Sequence, residues 1–213
     1  MVDLLLLGAS GLAREVLAVL AGEHYTREIA VLDDRAELRH TLVGGAPVLG
    51  TIDEVGNYPE AAIVICVGRG TRRETIAARL TLLGVADHRY ATVVHPAVEI
   101  PPGCVVGAGS ILLAGVVLTA LVQVGRHVVA MPHVTLTHDN VVADFATLCA
   151  GVTLGGSVRV GRGAYLGMNA SVRENVTVGA GTVLGMGAVL LTDLPDGETW
   201  AGLPARSLGR RAQ

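Results

Sequence analysis

The chain has almost no rings. Among 213 residues there are one Phe, one Trp and four Tyr, yet 51% of the residues are hydrophobic. An apolar interior of that composition is narrow, filled by aliphatic side chains where rings would distort it. Cysteine is also scarce. Cys66, Cys104 and Cys149 are scattered without a C-x-x-C pair, and they read as buried reduced thiols of a cytosolic protein. Long apolar runs are missing: the longest, around residues 111–122, is too short for the roughly 20 residues that cross a bilayer. The N-terminus lacks a basic stretch followed by a small-residue cleavage site, so no signal peptide and a cytoplasmic location are expected. The net charge of −3 gives no support to nucleic-acid binding.

What is present is a period. Every sixth residue from Val94 to Leu190 is aliphatic, without a slip, through Leu112, Leu136, Leu154, Leu166 and Leu184. Four residues after each stands a small or β-branched side chain, as at Val98, Ser110, Val134, Ala146, Ala164 and Thr182. Gly often follows the aliphatic residue directly, at Gly107, Gly125, Gly155, Gly161, Gly167, Gly179 and Gly185. Neither a helix nor an alternating strand repeats every six residues. A triangular coil with one six-residue strand per face does. Residues eighteen apart then stack on neighbouring coils, and residues nine apart lie on opposite sides. Strand alternation sends Val134 with Leu136, and Ala164 with Leu166, into the core. The glycine after the aliphatic residue is expected at a corner, relieving backbone crowding. The length gives about five coils. Flat outer faces of this kind call for an oligomer.

Residues 1–90 read differently, so two domains are expected, 1–90 and 91–213. Asp3 to Leu7 is an apolar run leading into Gly8-Ala9-Ser10-Gly11. A helix follows through Ala21, with Leu12, Val16, Leu17 and Leu20 on one face. Ile29 to Leu32 and Ala62 to Val67 are further strands. A second helix is expected from about Thr71 to Leu83, with Thr71 and Glu74 as a capping box and Gly84 closing it. This order gives an α/β, Rossmann-like sheet ahead of the repeats. Gly8 to Gly11 is a tight strand-to-helix turn whose N–H groups suit a phosphate or sugar, though it lacks the third glycine of a dinucleotide fingerprint. Asp33 and Asp34 fall about 20 residues on, where a carboxylate meets ribose hydroxyls.

Within the repeats, Thr137-His138-Asp139 puts an imidazole at a corner beside a carboxylate. Acyl transfer from a thioester needs a base of this kind, and an adjacent acid fixes its tautomer. The competing reading is a surface His next to a solvated Asp. Gly156 lies eighteen residues after His138 and stacks on it. It is either a turn glycine or one whose bare N–H faces a thioester carbonyl. His133, five residues before His138, gives the separation of two zinc ligands in γ-class carbonic anhydrases. The third ligand is absent, because Ala97, Pro102, Asn169 and Glu174 hold the matching positions and His95 is out of register. Three ligands are the usual minimum for a catalytic zinc, so no metal is expected.

Taken together, the hexapeptide repeat, Gly8-Ala9-Ser10-Gly11, Asp33-Asp34, His138-Asp139 and Gly202-Leu203-Pro204-Ala205-Arg206 resemble the hexapeptide acyltransferases. The resemblance is to the subfamily that contains sialic-acid O-acetyltransferases and bacterial N-acetyltransferases of nucleotide-linked amino sugars. It implies a left-handed parallel β-helix and a homotrimer, with acetyl-CoA in the groove between neighbouring prisms. It further implies His138 as general base, Asp139 as its orienting acid and Gly156 as an oxyanion donor. Acetyl-CoA is expected along Gly167, Met168, Gly185 and Met186, with Gly202, Pro204, Ala205 and Arg206 over its distal end and Arg206 near a phosphate. The nucleotide sugar is expected at Gly8, Ser10, Gly11, Asp33, Asp34, Gly68, Arg73 and Thr147. Thr147 stands where several relatives carry a second His, Leu12 where some carry a His, and Arg69 where an Asn is common. The activity implied is N-acetylation of a nucleotide amino sugar. Sugar O-acetylation is the near variant, and a nucleotide-sugar-binding trimer without turnover is the non-enzymatic alternative.

Overall fold

The structure, a computed structural model, describes residues 2–22 and 28–210. The N-terminal domain is organised by β1 (Leu4–Leu7). Its four leucines are at most 2% exposed, as a strand covered on both faces requires. β1 lies between β2 (Ile29–Leu32), its neighbour on one side, and a later strand, Ala62–Ile65, on the other. All three are parallel, with Leu4 opposite both Ile29 and Ala62. Helix α1 (Gly11–Gly22) follows β1. The Ser10 hydroxyl caps it by accepting the Leu12 N–H at 3.1 Å, an N-cap arrangement.

The sequence does not foretell a small hairpin, β3 (Leu42–Val43) and β4 (Ala46–Gly50), which adds to the far side of β2. Gly44 and Gly45 both take positive φ, 55° and 91°, the requirement of a tight two-residue hairpin turn. A two-residue strand carries no period to read. With Ala62–Ile65 numbered β5, the sheet order is β3-β4-β2-β1-β5. Helix α2 runs Gly70–Leu82, and its N-cap is Arg69, without a side-chain cap bond. The capping box expected at Thr71 and Glu74 is found instead at Thr51 and Glu54, at the start of the 3-10 turn Ile52–Asn57. Glu74 is drawn away by Arg162, whose Nε donates to it at 2.7 Å. Gly84 closes α2 with φ 79°.

From Val105 onward fifteen two-residue strands repeat every six residues, the last being Val189–Leu190. Each of the first twelve pairs in parallel with the strand eighteen residues on, as in Gln123↔Val141, Val129↔Thr147 and Thr135↔Thr153. Three sheets result and form a prism. Its first face holds Val105, Gln123, Val141, Arg159 and Thr177 as outward residues. The second holds Ile111, Val129, Thr147, Tyr165 and Val183. The third holds Val117, Thr135, Thr153, Ser171 and Val189. Val134, Leu136, Ala164 and Leu166 are 0% exposed in one continuous aliphatic core.

The left-handed residue of each corner is the third after the aliphatic one. Leu121, His127, His133, Asp139, Phe145, Ser157, Asn169 and Asn175 occupy it with φ between 54° and 62°, and Gly takes the remaining turns. The glycine directly after the aliphatic residue relieves backbone crowding, as expected, and the crowding comes from the neighbouring coil. A Cβ on Gly107 would lie 2.5 Å from the Gly125 carbonyl carbon, and one on Gly161 or Gly167 would lie 2.5 Å from the Ala180 or Met186 nitrogen.

The three edges have separate uses. The edge between the first and second faces, here the docking edge, receives the N-terminal domain. Ile111, Leu113 and Val129 join a core with Leu4, Leu6, Val16 and Leu20. At Gly70 the approach to the Phe145 carbonyl leaves no room for a Cβ. Arg73, 0% exposed, pins the joint. Its guanidinium donates to the carbonyls of Val67 (2.9 Å), Gly68 (2.8 Å), His127 (2.9 Å), Phe145 (3.0 Å) and Ala146 (2.9 Å) and to the Thr147 hydroxyl (3.1 Å). Burial lowers its pKa to about 10, so it stays charged at neutral pH, balanced by carbonyl dipoles. Beside it the His127 ring stacks on Phe145 at 5.0 Å and meets Tyr90 edge-on at 4.6 Å. Burial, then the charges of Arg126 and Arg73, push the His127 imidazole down to about 4, so it is neutral near pH 7.

The chain ends with Glu198–Ala201, parallel to Val183–Leu184, and Arg206–Arg210 antiparallel to that strand. Between them Ala205, 2% exposed, packs on the prism core. Its N–H donates to the Val189 carbonyl at 2.8 Å, so Gly202 to Arg206 seals the final coil.

Candidate active site

His138 and Asp139 turn the edge between the third and first faces, the one opposite the second face. Asp139 adopts φ 60°, which Asp tolerates better than most residues. Its Oδ2 lies 2.7 Å from His138 Nδ1. The two side chains are 63% and 50% exposed, so the imidazole stands outside its own prism and open to a ligand. Gly156 is directly above it in the stack: a Cβ there would overlap His138 Nε2 and Cε1. With Nδ1 held by the carboxylate, Nε2 is the atom left to take a proton. The Gly156 carbonyl accepts the Asn175 N–H at 2.9 Å. Its own N–H has no acceptor among the described residues, which leaves a donor close to the imidazole. A free N–H beside a base is the arrangement an oxyanion needs.

A Gly156→Ala variant tests this geometry. We expect a folded protein whose turnover falls by about 10²-fold or more, because the added methyl displaces the ring and crowds the free N–H. Circular dichroism with steady-state kinetics checks it, and full activity in the variant would overturn the arrangement.

His133 turns the third edge, between the second and third faces, with φ 62° and its ring against Gly115. Five residues in sequence therefore separate it from His138 by a whole face, and the two imidazoles do not converge. On the same edge Gly167 and Met168 stack beneath Gly185 and Met186, with the two methionines 49% and 71% exposed. This methionine edge and the His138 edge bound the third face, whose outward residues are small and uncharged. Gly202 and Pro204 are exposed, Ala205 is buried, and Arg206 is exposed with a bond from its Nη1 to the Ala205 carbonyl at 2.9 Å.

In the N-terminal domain a groove of about 320 Å³ opens at the carboxyl ends of β1, β2 and β5, lined by Gly8, Asp33, Asp34, Ile52, Val67 and Arg79 among others. Ligands of open α/β sheets bind there. Gly8 takes φ 107°, and a Cβ would meet Val67 Cγ2 at 2.8 Å. Asp33 accepts from the Ala9 N–H at 2.7 Å and from Arg35 at 2.9 Å. Burial opposes its ionisation, but the bonds from Arg35 and Ala9 outweigh that and hold it below the usual carboxylate range. Asp34 accepts from Arg79 at 2.6 Å and from the Ile52 N–H at 3.1 Å. Ser10 spends its hydroxyl on the Cys66 carbonyl and the α1 cap, while Gly11 borders open space.

A second, larger groove of about 570 Å³ lies between the loop after β5 and the second face. Gly68, Arg69, Thr147, Cys149, Tyr165 and Thr199 line it with Met131 and Val183. Thr147 is nonetheless engaged: it donates to the Gly68 carbonyl at 2.9 Å and accepts from Arg73. Arg73 itself is wholly committed to the joint, so it braces the groove from behind. Sequence reading overlooked Tyr165 and Thr199. The signal was available in the outward positions of one face, 147, 165 and 183, which recur every eighteen residues.

A model of the PglD N-terminal domain matches residues 3–80, and a model of six bacterial transferase hexapeptide repeats matches residues 157–192. The acetyltransferase domain of PglB from Neisseria gonorrhoeae, solved alone and with acetyl coenzyme A, shares 32% identity over 97% of this chain and 99% of that one in the unliganded structure, with a TM-score of 0.88. PerB from Caulobacter crescentus, solved with CoA and GDP-perosamine, shares 26% identity over 97% of each chain, TM-score 0.87. WeeI from Acinetobacter baumannii shares 26% over 98% of this chain and 100% of that one, TM-score 0.80. Among curated protein sequences nothing matches the chain. The two-domain architecture and the near-complete overlap with the PglB domain agree: the chain belongs to the hexapeptide-repeat acetyltransferases that carry a PglD-type N-terminal domain.

Proposed function

We propose that the protein transfers the acetyl group of acetyl-CoA to the amino group of a nucleotide-linked amino sugar, as a cytoplasmic homotrimer. The observation that carries the proposal is the His138 imidazole, tied at Nδ1 to Asp139 and set with Nε2 against Gly156, whose N–H has no acceptor among the described residues. The sugar amine attacks the thioester carbonyl carbon and forms the C–N bond. The oxyanion develops against the Gly156 N–H. His138 Nε2 takes the proton lost by the nitrogen, and Asp139 stabilises the imidazolium. The C–S bond breaks, and the departing thiolate recovers the proton from His138. An amide and CoA thiol are the products.

The nucleotide part of the acceptor belongs in the groove of Gly8, Asp33 and Asp34, and the acetyl-CoA along the methionine edge. That PerB binds CoA and GDP-perosamine, and the PglB domain acetyl coenzyme A, supports the two ligand classes. The position of His138 supports the trimer reading. His138 stands on the edge away from the docking edge and opposite the second face, so an acceptor held beside the second face of one chain would meet the imidazole of a neighbour.

Thiol release from acetyl-CoA, measured against a panel of nucleotide amino sugars, tests the reading. We expect turnover with at least one of them, a base-stable amide product and trimer mass by equilibrium sedimentation. Acetyl-CoA binding without turnover across the panel would leave a binding protein in its place. A monomer would remove the shared site.

A further inference from the structure

The two grooves beside the loop after β5 each hold a cation that no described residue pairs with. Arg69 lines the larger groove with Thr147, Tyr165 and Thr199. Arg72 lines the smaller one with Gly8, Asp33 and Asp34. Both are exposed. Among the described residues neither guanidinium has a hydrogen-bond or ion-pair partner. Their neighbours are different: Arg35 is spent on Asp33, Arg79 on Asp34 and Asp53, Arg126 on Asp87, and Arg162 on Glu74 and Asp144.

The loop that separates the grooves is rigid for a stated reason. Arg73 grips the Val67 and Gly68 carbonyls from below, and the Thr147 hydroxyl adds a second bond to Gly68. Arg69 therefore projects from a fixed backbone as the N-cap residue of α2, and its side chain makes no cap bond that a ligand would have to break. It lines the same groove as the Tyr165 phenol. On the far wall Thr199 supplies another hydroxyl. A guanidinium fork with hydroxyls around it is a design for oxygen-rich anions.

We infer that Arg69 is the specificity-determining residue that takes the diphosphate of the acceptor, where the substrate crosses from the nucleoside groove of Asp33 and Asp34 into the larger groove with its sugar. This rests on the acceptor class proposed above. An elongated nucleotide sugar laid through both cavities puts its only obligatory anion over the Val67–Gly70 loop, between the two unpaired cations. Arg72 flanks it from the nucleoside side. The larger groove, faced by Thr147, Tyr165 and Thr199, then receives the hydroxylated sugar.

The test separates binding from turnover. Calorimetry with a nucleoside and its nucleoside diphosphate, for the wild type, Arg69→Ala and Arg69→Lys, isolates the anion. We expect Arg69→Ala to weaken the diphosphate about 10- to 100-fold and to leave the nucleoside unchanged, with Arg69→Lys between. In kinetics the acceptor KM rises by a similar factor while the acetyl-CoA KM holds. Unchanged diphosphate affinity in Arg69→Ala overturns the assignment. If that affinity is unchanged but only sugars bearing a carboxylate lose KM, the arginine reads the sugar and the diphosphate assignment fails. If diphosphate binding depends on Arg69 yet no nucleotide amino sugar is acetylated, the anion site stands and the acceptor class falls. If turnover proceeds and Arg69→Ala is silent, the reverse holds.

Discussion

Replacing His138 with alanine lowers kcat by about 10²- to 10⁴-fold near neutral pH, the range a positioned general base contributes. Acetyl-CoA affinity and Tm stay at their wild-type values. The asymmetry follows from placement. The side chain is 63% exposed and its only bond is to Asp139, so its removal costs the fold little. Yet Nε2 is the one proton acceptor set over the free Gly156 N–H. Asp139→Asn keeps the left-handed corner and loses the anion that fixes the tautomer. Because Asp139 is half exposed, solvent screens its charge, and we expect a smaller fall of roughly 10-fold. Single-turnover measurements on both variants decide the matter. Turnover of His138→Ala within about threefold of wild type would place the base elsewhere.

Arg73→Met is the change with the largest expected effect on stability, a loss of roughly 3–5 kcal/mol and about 10 °C in Tm. Five carbonyls and the Thr147 hydroxyl turn toward that one guanidinium. Methionine keeps the unbranched apolar stem, stops short of the guanidinium position and satisfies none of them. Arg73→Lys recovers little, since an ammonium has three donors on a point and no fork. Thr147→Val removes the bond to Gly68 and strips one acceptor from Arg73, at about 1–2 kcal/mol. Urea unfolding measures all three. A Tm for Arg73→Met within about 2 °C of wild type would show that the joint is held by its apolar contacts instead.

The prism was legible because every rung obeys the same rule, so seventeen aliphatic positions vote for one period. The His138 corner was legible because its three groups are local or a single coil apart. Arg73 and Thr147 were not. They lie 74 residues apart in different domains, and both were expected at the nucleotide sugar, since nothing in either segment points to the other. The same blindness misplaced a helix cap. Thr71 and Glu74 have the spacing of a capping box, but Arg162, 88 residues away, takes the glutamate, and a long-range ion pair overrides a local preference. The glycine after each aliphatic residue was legible as a relief of backbone crowding, but not which backbone does the crowding: it is that of the next coil.

Those glycines act as missing spacers. Each rung rests almost backbone to backbone on the next at Gly107, Gly125, Gly155, Gly161, Gly167 and Gly179, and the pitch of the whole column is the accumulated thickness of such seats. A methyl inserted under any one of them lifts everything above it, as a washer lifts a stack of plates. Alignment between an imidazole on one level and an amide on the next is thus decided partly by residues several storeys away that never touch a substrate.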